Sequence, residues 1–131
     1  MFDKNSRDDV LAALENILFS LRLIRERFAF IETSDDFLES TEGLEHLDSI
    51  SMRLIAIGEG FKNIDKLTGR MLLPEFGDEI EWKGIKGIRD KLSHHYFDID
   101  SEIIFDICES KLPALEETTQ RMIEFVLGDR R

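Results

Sequence analysis

The apolar residues of this 131-residue chain are spaced for packing on one face of a helix. In the first long segment they recur at steps of three and four positions, as Val10, Leu11, Leu14, Ile17, Leu18, Leu21, Ile24 and Phe28. A second long segment repeats this spacing in Leu44, Leu47, Ile50, Leu54, Ile55, Phe61 and Ile64. Such steps place side chains along one stripe of an α-helix, which is stabilised when the stripe is buried. Because no strand-like alternation of useful length is present, the sequence predicts an all-α fold.

Breaks between the periodic segments indicate how many helices the chain forms. Residues 71–77 contain a proline and a glycine and predict a loop. A shorter helix is predicted over about 82–93, and Asp98 or Asp100 is a candidate cap for the helix that follows. Pro113 either kinks that last helix or begins a new one. We therefore expect an antiparallel bundle of four to five helices.

Two glycines interrupt the second long segment. A glycine in a helix interior costs about 1 kcal/mol relative to alanine, so its presence there needs a reason. We expect Gly58 and Gly60 to lie where a neighbouring backbone packs too closely to leave room for a side chain.

Length and composition are consistent with one folded domain over residues 1–131. The chain is 42% hydrophobic and contains one cysteine, Cys108, so no disulfide framework or thiolate zinc site is expected. Cys108 is expected to pack as a small apolar residue on a helix face. The polar N-terminus lacks a signal-peptide pattern, and no apolar run reaches the ~18 residues of a membrane span, which predicts a soluble, cytoplasmic protein.

Charge is distributed unevenly along the chain. The net charge of −11 argues against general nucleic-acid binding, because phosphates repel an acidic surface. Segment 82–95 has the opposite sign, its charged residues being Lys83, Lys86, Arg89 and Lys91 with Asp90 as the one acid. Screening limits charge interactions to about 8–10 Å, so a phosphate near this segment responds mainly to the local charge. The three lysines are therefore candidate RNA contacts, with a solvated helix face as the alternative interpretation.

Window 89–96 holds an arginine, a carboxylate, two histidines and a tyrosine within a little over two helical turns. With ~100° between successive residues, Asp90 and His94 share a helix face, whereas Arg89 and His94 are ~140° apart. Two arrangements would bring Arg89 and His94 together. Either the helix ends or distorts near Ser93, or a second copy of the chain completes the site across a two-fold axis. We favour the second arrangement, because two copies of His94 could then act at one site.

These residue types suit metal-independent cleavage of an RNA phosphodiester bond. The reaction needs a base for the 2′-hydroxyl, an acid for the leaving 5′-oxygen and a cation for the phosphorane. His94 could be the base or the acid, Arg89 could clamp the phosphate oxygens, and Asp90 could orient the imidazole. The same Asp90–His94 spacing also occurs in ordinary helix-surface pairs. Since no residues have metal-ligand spacing, neither a metal nor another cofactor is predicted.

The spacing of three residues in this window resembles a known motif. Four residues separate Arg89 from His94, and one residue separates His94 from Tyr96. This spacing is similar to the RX4–6H motif of HEPN domains, in the extended Rx4HxY form of HepT-like ribonuclease toxins. The resemblance includes the flanks of the motif and part of the second long segment, namely 82–90, 96–100 and 54–59. Beyond these segments, the similarity extends over nearly the whole domain.

The resemblance implies a homodimer of helical domains with the motif in a cleft at the interface, and a metal-independent endoribonuclease that acts as a toxin. It implies that Arg89 and His94 are catalytic and that Asp90 supports them, at a position where many relatives have Asn. It also implies that a MntA-like nucleotidyltransferase antitoxin inactivates the toxin by attaching AMP to Tyr96. That modification would add phosphate charge and bulk beside the arginine. Glu59 matches a family-like position that carries no assigned role.

Two further functions belong to other classes. The chain could be a non-catalytic HEPN subunit that presents RNA or a nucleotide to a partner nucleotidyltransferase. It could also be a structural helical dimer whose polar cluster only stabilises an interface. We predict the RNA-cleaving toxin, and RNA cleavage by the purified protein in the presence of a chelator separates these hypotheses.

Overall fold

The computed structural model describes residues 3–77, 80–93 and 99–128. Its α-helices are α1 (Lys4–Phe28), α2 (Thr41–Thr68), α3 (Trp82–Lys86), α4 (Ile88–Ser93), α5 (Ser101–Asp106) and α6 (Leu112–Gly128). Two short 3-10 helices, Ser34–Phe37 and Leu73–Phe76, flank α2, and a π-helical turn, Ile107–Lys111, joins α5 to α6. These residues contain no β-strand, which confirms the predicted all-α fold.

Helix α1 packs against both α2 and α6. Its contacts with α2 show that the two helices are antiparallel. Gly60 lies against the Ile17 side chain. One turn further along α1, Ser20 Oγ accepts a hydrogen bond of 3.4 Å from Arg53 Nη1, earlier in α2. The numbering of α2 therefore falls as that of α1 rises.

All six helices contribute to one hydrophobic core. Its least exposed side chains include Leu14, Ile24, Phe61, Leu72, Ile104, Leu115 and Met122. Removing these surfaces from water is the main favourable term in folding. Cys108 belongs to the same core, as expected, and burial raises the pKa of its thiol to about 12. Within the described residues, no helix is both long enough and apolar enough to cross a membrane.

The C-terminal helices begin where side-chain and backbone chemistry allow. Asp100 is the cap of α5, because its carboxylate accepts hydrogen bonds from the backbone N–H groups of Glu102 and Ile103 at 3.0 and 3.2 Å. Pro113 is the second residue of α6 and follows the π-helical turn, so it lies at the start of a new α-helical segment. A proline fits there because it has no N–H to donate to the preceding turn.

Two expectations about local structure were wrong in detail. Residues 71–77 are not a plain loop, since Leu73–Phe76 forms a 3-10 helix whose Leu73 is buried. The predicted continuous helix over 82–93 is divided at Gly87 into α3 and α4. The N–H of Gly87 donates to Lys83 O at 3.0 Å and closes α3, while Gly87 O accepts from Asp90 N at 3.1 Å and opens α4. A ψ angle of 5° at Gly87 takes the backbone out of the α-helical range.

The two glycines of α2 are both in close contacts, of different kinds. A Cβ atom on Gly58 would lie 2.7 Å from the backbone oxygen of Ile85, so this glycine lets α3 approach the backbone of α2, as predicted. A Cβ atom on Gly60 would instead meet the side chain of Ile17 at 2.9 Å. The expected backbone contact is therefore confirmed for Gly58 and wrong for Gly60.

Candidate functional site

The segment that carries the motif is anchored by three buried isoleucine and leucine side chains. Ile85, Ile88 and Leu92 are spaced three and four residues apart and all belong to the hydrophobic core. Their burial fixes α3 and α4 against α2. Arg89 and Asp90 lie between these anchors and are exposed. The local sequence therefore presents two charged side chains on the outer surface of α4.

Arg89 is paired with an acid from α2. Its Nη1 atom donates a hydrogen bond of 2.8 Å to Glu59 Oε1, and the two residues are 30 positions apart in the sequence. The Arg89 side chain is 61% exposed, so the guanidinium that Glu59 holds is still accessible from solvent. A guanidinium held in this way has its planar fork oriented before an anion arrives.

Glu59 interacts with two cations. Besides accepting from Arg89, its Oε2 atom lies 3.4 Å from Lys62 Nζ, one turn along α2. The hydrogen bond from Arg89, followed by that from Lys62, lowers the pKa of Glu59 below its ordinary value of 4.5. Glu59 is therefore ionised at neutral pH, and it positions Arg89 by a charge-assisted hydrogen bond.

The three lysines predicted to contact RNA have different environments. Lys83 and Lys91 are exposed. Lys86 is partly buried, and its Nζ atom lies 2.6 Å from Asp65 Oδ2, in an ion pair that joins α3 to α2. The ammonium group of Lys86 is thus engaged within the protein, whereas the other two extend into solvent.

The remaining predicted site residues, His94 and Tyr96, lie outside the described residues, as does His95. The helix α4 is described to Ser93, so the two arrangements that would bring His94 to Arg89 stay alternatives. Among the residues that are described, no group of three or more histidine, cysteine or acidic side chains could hold a metal ion.

The comparisons with known proteins bear on this geometry. A family model described as ribonuclease HepT-like matches residues 17–122, a range that includes Glu59, Arg89 and the whole Rx4HxY motif. The chain belongs to the HepT-like ribonuclease family. The resemblance seen in the motif is thereby confirmed over residues 17–122.

Relatives from two organisms give the same result. The chain is 32% identical over 123 residues to "Putative RNase MJ0127" of Methanocaldococcus jannaschii, with 94% of each chain covered. It is 29% identical over 111 residues to "Putative RNase TTE0752" of Caldanaerobacter subterraneus subsp. tengcongensis, with 85% of this chain and 91% of the relative covered. No solved structure matches the chain.

The role of Glu59 in this HepT-like chain was missed by sequence reasoning. The segment 54–59 resembled the family, but nothing local to it indicated a contact with Arg89. A signal was present one residue earlier, since Gly58 is the point at which α2 admits the backbone of α3. Glu59 lies next to that contact, on the helix that faces Arg89, and was therefore a candidate partner for this arginine.

The lowered pKa of Glu59 makes a pH-dependent contribution to stability. Because its pKa is lower in the folded state, Glu59 stabilises the fold above about pH 4.5, and this contribution is lost as the pH falls through the folded pKa. Thermal unfolding of wild type and Glu59→Gln between about pH 3 and pH 7 should show a difference that shrinks in acid. A Glu117→Gln variant controls for the loss of one surface carboxylate. A difference between wild type and Glu59→Gln that is the same at every pH would contradict the role of the ion pairs.

Proposed function

We propose that this chain is the metal-independent endoribonuclease toxin of a toxin–antitoxin pair. The observation that carries the proposal is Arg89, held by Glu59 inside the Rx4HxY motif of a chain that belongs to the HepT-like ribonuclease family. An oriented guanidinium in a locally basic segment is the group that a phosphorane needs. The relatives named as putative RNases support the same class of reaction.

In the proposed reaction His94 takes the proton of the 2′-hydroxyl, whose oxygen then attacks the adjacent phosphorus. The bond from phosphorus to the 5′-oxygen breaks, and the leaving oxygen receives a proton from the second copy of His94. Arg89 stabilises the negative charge of the phosphorane, and Asp90 orients the imidazole. Glu59 acts through Arg89 and is a positioning residue. These steps need proton transfer and a fixed cation, both of which the chain's own side chains supply.

The composite site requires a homodimer, and one exposed surface supports this. Phe19 and Met52 are large apolar side chains that are 59% and 66% exposed. Phe19 lines a groove between α1 and α2 that extends to Gly60 and Asn63. Glu59 precedes Gly60 in α2. Burying such side chains against a second copy of the chain would be favourable. Association through this surface would bring two copies of the Glu59 and Arg89 region close together.

Cleavage assays test the proposed nuclease directly. Purified wild type should cut single-stranded RNA with a chelator present, and His94→Ala should lower the rate at least a hundredfold, because both proton transfers are impaired. Circular dichroism and gel filtration of the variant check its fold and its dimer. If wild type and His94→Ala leave RNA equally intact, the nuclease is rejected and the non-catalytic binding subunit becomes the better proposal. The negative charge of Asp90 beside the RNA would be consistent with such a non-catalytic subunit.

Regulation of the toxin is proposed to act at Tyr96. AMP attached there by a nucleotidyltransferase antitoxin would bring a phosphate into the region where Arg89 receives the substrate phosphate. Intact-mass analysis after co-expression with such a partner should show the mass of one or more AMP groups. The adduct should be absent from Tyr96→Phe, and an adduct that survives this substitution would identify a different acceptor.

A further inference from the structure

A second basic surface lies at the end of α2, outside the motif. It is a groove of about 400 Å³ lined by Lys62, Asp65, Lys66, Arg70 and Lys86, which we call the α2 groove. Four of these five residues are cationic, in a protein whose net charge is −11. The charge of the groove thus has the opposite sign to the net charge of the whole molecule. A nearby anion responds mainly to the charge of the groove.

The one acid of the α2 groove is already paired. Asp65 and Lys86 form the 2.6 Å ion pair between α2 and α3, with side-chain exposures of only 12% and 29%. Their charges offset each other, and the pair forms a fixed wall of the groove. Lys66 and Arg70 are exposed, and neither has an ion-pair partner among the residues that the structure describes. Lys62 is held by Glu59, so the positive charge available to a ligand comes mainly from Lys66 and Arg70.

The spacing of these cations suits a chain of phosphates. Lys62 and Lys66 are one helical turn apart on α2, about 6 Å along its axis. Arg70 follows the end of the helix and lines the same groove. Successive phosphates of an extended RNA strand are separated by a comparable distance. Cations in a row bind such a backbone without reading its base sequence.

The backbone at Arg70 supports a role for its side chain. Arg70 has a φ of 63°, directly after Gly69 with a φ of 61°, so two successive residues adopt the left-handed conformation. This conformation is unfavourable for residues other than glycine and, less so, asparagine or aspartate. It is held by a hydrogen bond of 2.8 Å from Arg70 N to Asp65 O. A strained position occupied by a long cationic side chain is of the kind that occurs at binding sites.

The α2 groove is connected to the candidate site through Lys62. This lysine lines the groove, and its ammonium lies 3.4 Å from Glu59, the acid that holds Arg89. We propose that the α2 groove binds the backbone phosphates of single-stranded RNA next to the bond that is cut, and so leads the strand to Arg89. This inference rests on the proposed ribonuclease function and adds to it a substrate-binding track on a different helix.

The test measures RNA binding separately from RNA cleavage. A fluorescent, unstructured RNA with 2′-O-methyl groups has no 2′-hydroxyl that could attack the phosphorus. The wild-type protein therefore binds this RNA without cutting it. The variant Lys66→Gln/Arg70→Asn removes two cations and keeps a residue that tolerates the left-handed backbone at position 70. Arg22→Gln/Lys111→Gln removes the same charge from α1 and the π-helical turn, outside the α2 groove. Thermal unfolding of both variants checks that they fold.

We expect Lys66→Gln/Arg70→Asn to weaken RNA binding about tenfold near 0.1 M salt. The slope of log affinity against log salt should fall by about 1.4, because each phosphate contact on a single strand contributes about 0.7. The control variant should bind like wild type. If Lys66→Gln/Arg70→Asn binds with the affinity and slope of wild type while wild type still cuts unmodified RNA, the track is refuted and the nuclease stands. If binding depends on the two cations but unmodified RNA is not cut, the α2 groove is an RNA-binding surface, whereas the nuclease and the track's role in leading a strand to the cleaved bond both fail.

Discussion

Replacing Arg89 by alanine is expected to slow RNA cleavage about a thousandfold, the loss typical of removing one group that stabilises transition-state charge. The fold should change little, because the side chain is 61% exposed and its ion pair with Glu59 is on the surface. Single-turnover cleavage with excess enzyme measures the chemical step separately from product release. Circular dichroism provides the matching check of the fold.

Two variants make the Arg89 result specific. Arg89→Lys keeps the charge but loses the planar fork, so it should recover only part of the lost rate. Arg22→Ala removes an exposed arginine from α1 and should cleave like wild type. A loss of less than tenfold in Arg89→Ala, with cleavage otherwise intact, would remove Arg89 from the catalytic residues.

Replacing Gly58 by alanine is expected to destabilise the protein by about 2 kcal/mol and to lower Tm by roughly 8 °C. A Cβ atom at this position would lie 2.7 Å from the backbone oxygen of Ile85, so α3 must move away from α2. That movement would also shift α4 and the hydrogen bond between Arg89 and Glu59. RNA cleavage at a temperature where the variant is folded should therefore fall as well.

Gly128→Ala is the matched control for Gly58→Ala. A Cβ atom on Gly128 would meet nothing within 4 Å, so the same chemical change should alter Tm by little. Thermal unfolding of the two variants side by side measures the effect of the helix contact. Equal values of Tm for wild type and Gly58→Ala would show that α3 does not need this close approach.

Much of the secondary structure could be predicted because the information is local. Apolar residues at steps of three and four identify most of the buried faces of α1 and α2 from within each helix. Leu44 is an exception, since it belongs to the pattern but is exposed near the start of α2. Asp100 was recognisable as a candidate cap because a capping side chain bonds to backbone N–H groups close by in the sequence. Its partners, Glu102 and Ile103, lie two and three positions later. The division of residues 82–93 at Gly87 was missed. Whether a glycine is tolerated within a helix or ends it depends on the tertiary packing around it, which the local sequence does not show.

The candidate site could be predicted only in part. Arg89 stood out from its charge and from the motif, which are properties of one short segment. Its partner Glu59 is 30 positions away on another helix, and no local pattern links the two. The α2 groove was missed for the same reason. In the sequence, Lys66 and Arg70 are two cations at the end of a helix, and the groove forms only because α3 places Lys86 against Asp65.

By itself, then, the sequence determined the all-α class, the buried faces of the long helices and the segment that carries the chemistry. These follow from helical periodicity and from a motif, both of which act over a few residues. Only the tertiary structure decided that Glu59 holds Arg89 and that a row of cations on α2 adjoins the pair. Such contacts depend on how closely whole helices approach, and here that approach is set by Gly58 and by the buried anchors of α3 and α4.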